Sequence, residues 1–266
     1  MPKLAAIVCW GILAPQIMNA EVYVRGVHHI PGSYRYAREV RTLDIVNEWW
    51  FGKDKVAFST RGWAYDYSGN TDWRLVLDRE KQRIVILNLT KKTYWEFPLS
   101  ATLGTFVKDD ALRWLAQFKV YGTLVPTGSM ADVLGRPCQE FEIKEWIIRN
   151  DEDRFYDGQS KARVSEDVPF DWKLSRDLLL WVRTLSNPQN DYLRDLDGIH
   201  GFVLASEEMT SEGGNLVTWA FRVDEIIVRD PPAGTFDPPA DFKRQDSLDI
   251  ETLWSLRGII YICPIY

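Results

Sequence analysis

Histidine and cysteine are scarce in this chain, three of each in 266 residues, and the shortage removes several kinds of chemistry. The histidines are His28, His29 and His200. Neighbouring positions on a strand point to opposite faces, so His28 and His29 cannot jointly hold a metal in the usual way. No metal and no cofactor is expected. The sequence also lacks G-x-S-x-G, H-E-x-x-H and a glycine-rich phosphate loop, so no motif marks an enzyme. A hydrolase built on two carboxylates would need a geometry that sequence cannot supply. Basic residues are outnumbered, with 32 Lys and Arg against 38 Asp and Glu and a net charge of -6. With no Lys/Arg cluster interleaved with aromatics, nucleic acid is not an expected partner.

Long apolar runs are missing too, except at the N-terminus. Lys3 followed by Leu4 to Met18 and then Asn19-Ala20 has the form of a signal peptide over residues 1–20, cut near Ala20. An uncleaved anchor is the alternative, although the run falls short of the ~20 residues a span requires. Beyond it two cysteines remain, Cys138 and Cys263. Export would permit a disulfide between them; two buried thiols are the other reading.

What the chain has in quantity is alternating strand pattern. Trp73–Leu77, Arg83–Leu89 and Thr93–Phe97 follow one another across short polar breaks, which predicts an antiparallel meander, because parallel strands need a crossover of a dozen residues or more. Before them come Glu21–Ile30, then Arg38–Phe51 and Lys55–Thr60 around the turn Gly52-Lys53-Asp54, then Trp63–Tyr67. Beyond them, Val120–Val125 and the segment from Cys138 to Ile148 read as strands, the latter with Phe141, Ile143 and Ile147 on one side and Glu140, Glu142 and Lys144 on the other. Residues 150–169 read as a long polar excursion with only weak strands at Arg154–Tyr156 and Ala162–Val164. The last hairpin joins Gly201–Met209 to Leu216–Val228, and a slip in alternation at Asp224-Glu225 predicts a bulge.

Helical pattern is limited to Leu112, Leu115 and Phe118 behind Asp109, to Leu178, Leu179, Val182 and Leu185 behind an N-cap at Ser175, and to a turn around Tyr192–Leu196. The expected fold is mainly β with some α: a curved antiparallel sheet forming a half-open barrel with two or three covering helices.

Twelve tryptophans are the strongest compositional feature. They fill an ordinary core, or they line a concavity for an apolar ligand. Alternation selects Leu43, Ile45, Trp49, Phe58, Leu87, Trp95, Phe141, Trp219 and Phe221 as candidates for such a lining; a one-residue register error would turn any strand's set outward.

The order of these elements, with the runs VLDREKQRIVILNLTKKTYWEFP, VLGRPCQEFEIKEW and PPAGTFDPPADFK, resembles the bacterial LolA/LolB-like superfamily, and most of all its outer-membrane lipoprotein-sorting-like periplasmic branch. Lys92-Thr93-Tyr94 and Gly135-Arg136-Pro137-Cys138 carry the likeness, which spans residues 21–243. It implies a periplasmic half-barrel whose hydrophobic cavity carries a lipid, a lipoprotein acyl chain or another hydrophobic ligand without catalysis. The early-strand arginine used by such carriers would be Arg38, Arg41 or Arg61. The alternative on the same scaffold is a protein-interaction or envelope-stress sensor module. Residues 244–266 lie outside the likeness as a hydrophobic extension, packed on the domain or free to dock an envelope protein partner or a membrane surface.

Overall fold

The computed structural model describes residues 21–30, 43–61, 72–150, 154–186, 198–212, 215–253 and 255–256. The signal-peptide reading, Arg38, Arg41, Trp63–Tyr67, the turn at Tyr192–Leu196 and Cys263 lie outside the described residues.

Six strands precede the first helix: β1 (Val22–Ile30), β2 (Leu43–Phe51), β3 (Lys55–Arg61), β4 (Trp73–Asp78), β5 (Arg83–Asn88) and β6 (Thr93–Pro98). Each pairs antiparallel with its predecessor. The turns after β4 and β5 share one device. The Asp78 carboxylate accepts the N–H of Lys81 at 3.0 Å, and the Asn88 amide oxygen accepts that of Lys91 at 2.8 Å. Gln82 and Lys92 then take left-handed φ of 51° and 52°. A short polar side chain bonding back to the loop makes DREKQ and NLTKK tight reversals rather than loose loops.

Two short helices follow, α1 (Leu103–Phe106) and α2 (Asp109–Leu115). The predicted helix stops before Phe118, which opens the edge strand β7 (Phe118–Val133). That strand runs on past the predicted end at Val125 by means of an irregularity between Pro126 and Met130. It reverses only at Leu134-Gly135 into β8 (Arg136–Arg149).

The polar excursion is instead β9 (Arg154–Ser165), paired along its length with β8 and with β10 (Phe202–Glu212). Its outward charges answer those of its neighbours. Arg163 lies 3.7 Å from Glu140 and 3.5 Å from Glu207, so polarity here marks a wet sheet face rather than a loop. Helix α3 (Trp172–Ser186) starts three residues ahead of Ser175, whose hydroxyl bonds back to the Trp172 carbonyl instead of capping.

Strand β11 (Asn215–Val228) returns beside β1, and the predicted bulge is present. Arg25 faces Glu225 and Gly26 faces Val223, leaving Asp224 as the extra residue. Its carboxylate pairs with Arg25. Gly26 is required here, because a Cβ would come within 2.5 Å of the Phe221 ring. Two residues of β12 (Lys243–Arg244) add in parallel to β6.

All twelve strands form one open curved sheet in the order β12-β6-β5-β4-β3-β2-β1-β11-β10-β9-β8-β7. This is the mainly β architecture the alternation predicts. Helix α3 and the shorter helices cover its inner face and build the main core; the outer face carries a smaller cluster of Tyr23, Trp50, Val76, Val85, Leu87 and Phe236.

The PPAGTFDPPADFK segment is a strap over that outer cluster. Phe236 packs into it, Arg229 stacks 3.8 Å from the Tyr23 ring, and Lys55 lies 4.4 Å from the Phe236 ring. Asp237 takes Lys81 at 2.7 Å and also Arg83, and Asp241 takes Lys92 at 2.7 Å. The Lys81 ammonium, followed by Arg83, holds the Asp237 carboxyl below its usual range against the pull of burial, and Lys92 does the same for Asp241. A depressed carboxyl contributes stability above its ordinary value of about 4 and loses it as pH falls through its folded value. The strap should therefore loosen below pH 4, read as pepsin cleavage near Phe236 and Phe242. Asp237→Asn should show that cleavage already at pH 4, and equal cleavage of the two proteins at that pH would contradict the account.

Candidate ligand-binding face

Antiparallel register converts the alternation of six strands into three rows across the inner face. The first row is Gly26, Asn47, Thr60, Trp73, Asn88 and Thr93; the second is Val24, Trp49, Phe58, Leu75, Ile86 and Trp95; the third is Val22, Phe51, Val56, Leu77, Ile84 and Phe97. Every member of the second and third rows is buried. The first row is different, with the polar residues Asn47, Thr60 and Asn88 no more than 3% exposed.

Of the residues selected by alternation, Ile45, Trp49, Phe58, Trp95, Phe141 and Phe221 are all buried, and all but Ile45 share the main core. Trp49 lies 5.0 Å from Phe58 and meets the edges of Phe202 and Phe221 at 5.4 and 6.0 Å. Leu87 is a correction. It belongs to the outer cluster, because the pairing that turns Ile86 toward Trp95 turns its neighbour the other way. Leu43 and Trp219 occupy strand positions, in pairs with Ile30 and Glu208, and their side chains lie outside the described residues. Arg61, at the exposed end of β3, bonds Glu48 at 3.0 Å.

Sequence reasoning missed the polar row, which takes shape only when register aligns Asn47, Thr60, Trp73 and Asn88 across four strands. It also missed three buried polar atoms. Among the described residues, the indole N–H groups of Trp49 and Trp73 and the hydroxyl of Thr60 have no hydrogen-bond partner. Trp95, by contrast, donates to the Ser247 carbonyl at 3.0 Å. Leaving a buried donor unmade costs roughly 1–3 kcal/mol, so donors on neighbouring strand positions such as Thr60 and Trp73 take an acceptor, whether a bound water or a ligand.

What lies over this face is α3 with the segments around it. Phe170 stacks on Phe51 at 3.9 Å, and Trp181 stacks on Phe106 at 5.8 Å. At one end Arg79, in the β4–β5 turn, pairs with Asp177 and lies 3.8 Å from Asp171. At the other, Arg183 bonds Glu145 of β8 at 2.8 Å. The helix thus spans the curve from one half of the sheet to the other. Part of the extension joins the cover. Leu248 exchanges backbone hydrogen bonds with Phe106 and Lys108, and Leu248, Leu253 and Leu256 are buried in the main core. The core therefore continues past Lys243.

Among the described residues, no group of His, Cys, Asp and Glu could hold a metal ion, and no helix is long and apolar enough to cross a membrane. Cys138 is a buried thiol, pushed up in pKa by that burial and so poorly nucleophilic. A hollow of about 540 Å³ lies at one end of the sheet, but Glu21, Lys53, Asp54, Lys55, Glu80 and Asp230 line most of it. Its charged wall is unlike the apolar inner face.

No family model matches this chain, and no curated protein matches it. Solved structures do. PNGF-II matches with a TM-score of 0.39 and 9% identity over 91% of this chain, which spans 33% of that protein. A DUF1329 family protein from Desulfovibrio piger matches with a TM-score of 0.23 and 8% identity, covering 82% of this chain and 90% of its own. A putative outer membrane lipoprotein-sorting protein domain from Vibrio parahaemolyticus matches with a TM-score of 0.28 and 7% identity, covering 82% and 89%. Overlaps this loose transfer no function.

Proposed function

We propose that this protein is a non-catalytic, exported binder or carrier of a lipid, a lipoprotein acyl chain or another hydrophobic ligand, taken between the inner face of the sheet and α3. One observation carries the reading: two unbroken apolar rows lie beside a row with unpartnered buried donors, under a cover held at its two ends by ion pairs. A pocket for a greasy ligand has this composition, mostly apolar with a few placed polar groups. The packing of the described lining implies that α3 must lift for the ligand to enter. The sequence resemblance supports the same reading and a periplasmic site of action.

The test is titration of the full chain with the neutral dye N-phenyl-1-naphthylamine. Saturable fluorescence enhancement at one dye per chain, reversed by an acyl lipid, is the expected result. Enhancement that rises without saturation contradicts it.

A second reading has its own observation. Strand β7 is one of the two edges of the sheet, and Tyr121, Val125 and Met130 on it are 37%, 55% and 67% exposed. An edge of this kind accepts a further strand from a polypeptide, as an interaction module would require. Saturable dye binding with no effect of substitutions in β7 separates the two.

A further inference from the structure

The three rows of the inner face differ in kind, and that difference specifies a ligand class. In each of four neighbouring strands a residue with hydrogen-bonding capacity sits at one end, with two apolar residues after it: Asn47, Trp49 and Phe51; Thr60, Phe58 and Val56; Trp73, Leu75 and Leu77; Asn88, Ile86 and Ile84. At ~3.3 Å per residue the apolar stretch reaches roughly 13 Å from the polar row. Such a surface is shaped for an amphiphile whose linkage lies on the first row and whose chain crosses the other two.

The unpartnered atoms narrow the choice further. Thr60 and Trp73 are directly opposite in the register, which places their Cβ atoms about 5 Å apart. Among the described residues the Thr60 hydroxyl and the Trp73 indole N–H both have no partner, in residues 0% and 1% exposed, and Trp49 adds a third such donor on the next row. An indole donates and cannot accept, so the missing partner is an acceptor. A plain hydrocarbon would leave all three groups unmade. An ionised carboxylate would need a cation, and neutral donors alone do not offset the burial of a charge. A carbonyl oxygen meets the demand: it is neutral, it carries two lone pairs, and it can accept from the indole and the hydroxyl together.

We propose that Thr60 and Trp73, with Trp49 beside them, form a hydrogen-bonding station that takes the carbonyl oxygen of an ester- or amide-linked acyl group. This rests on the reading of the inner face as a binding surface and narrows its ligand from anything hydrophobic to acyl esters and amides. Thr60 and Trp73 choose the ligand; the apolar rows supply most of the affinity.

The experiment is displacement of N-phenyl-1-naphthylamine from the full chain by methyl dodecanoate and by tetradecane, a pair of similar length that differs in the ester. The wild type should prefer the ester by roughly three- to tenfold, as one or two neutral hydrogen bonds provide. Thr60→Val and Trp73→Phe should each abolish most of that preference, read as the ratio of ester to alkane displacement within each variant. Thr60→Val is nearly isosteric and removes an orphaned hydroxyl, so it is expected to fold at least as well as the wild type and carries the test if Trp73→Phe does not fold. Equal displacement by the two probes in the wild type overturns the station, as does a preference that survives in Thr60→Val; in both cases the binding surface itself still stands. A chain that binds no dye overturns the binding surface, and the station falls with it.

Discussion

Trp49→Ala is expected to cost about 3–5 kcal/mol of stability, the range for truncating a buried tryptophan or phenylalanine, out of a total that for ordinary domains is ~5–15 kcal/mol. The size follows from position. Trp49 is 1% exposed and its ring touches Phe58 on β3, Phe202 on β10 and Phe221 on β11. It therefore joins the first half of the sheet to the second, where β1 and β11 meet. Neighbours anchored on three different strands cannot collapse together into the space. In urea the midpoint should fall by more than 1 M, given a slope of about 1–3 kcal/mol per M. Val228→Ala, at a position 60% exposed, should shift it little. A Trp49→Ala midpoint as close to wild type as that of Val228→Ala would contradict the packing described.

Glu145→Leu is expected to release α3. The Arg183 side chain is 8% exposed and that of Glu145 17%, so the substitution removes a carboxylate from beside a guanidinium that water scarcely reaches. Breaking such a pair by one partner costs about 3–5 kcal/mol. Amide exchange over residues 172–186 should quicken, and dye should enter faster. The pair at the other end is a different case. Arg79 and Asp177 are each 36% exposed, so Asp177→Ala should cost only about 0–1 kcal/mol. Replacing both Glu145 and Arg183 by Leu should recover part of the loss, because the guanidinium is then removed together with its carboxylate. A single variant with wild-type exchange in α3 would show that the helix is held by its apolar face alone.

The meander was legible because its signals are local. Apolar alternation, breaks such as DREKQ and the slip at Asp224-Glu225 sit within a few residues of what they determine. The features that sequence misplaced depend on partners far along the chain. Strand β9 looks like a loop because its outward residues are charged, and only the positions of Glu140 and Glu207 make Arg163 a cross-strand residue. Leu87 looks like a lining residue because β5 is apolar on both faces, which erases the period-2 signal. What buries its outer face is the strap, some 150 residues later in the chain.

The candidate site divides in the same way. Alternation could find Trp49, Phe58 and Phe221 one strand at a time. The polar row exists only once register sets Thr60 against Trp73, and a missing hydrogen bond is a property of the packed fold alone. The extension could be read as packed or as free to dock. Leu248, Leu253 and Leu256 lie in the core, so its first half is packed.

The central claim is that the inner face holds a hydrophobic ligand, and the most direct test is to look for one. The protein would be purified gently, without detergent, and extracted into organic solvent, and the extract analysed by mass spectrometry. A near-stoichiometric acyl ester or amide, absent from a control protein carried through the same steps, is the result expected. A clean extract, repeated after incubation with bacterial membrane lipids, would contradict the account and shift attention to the exposed edge of β7.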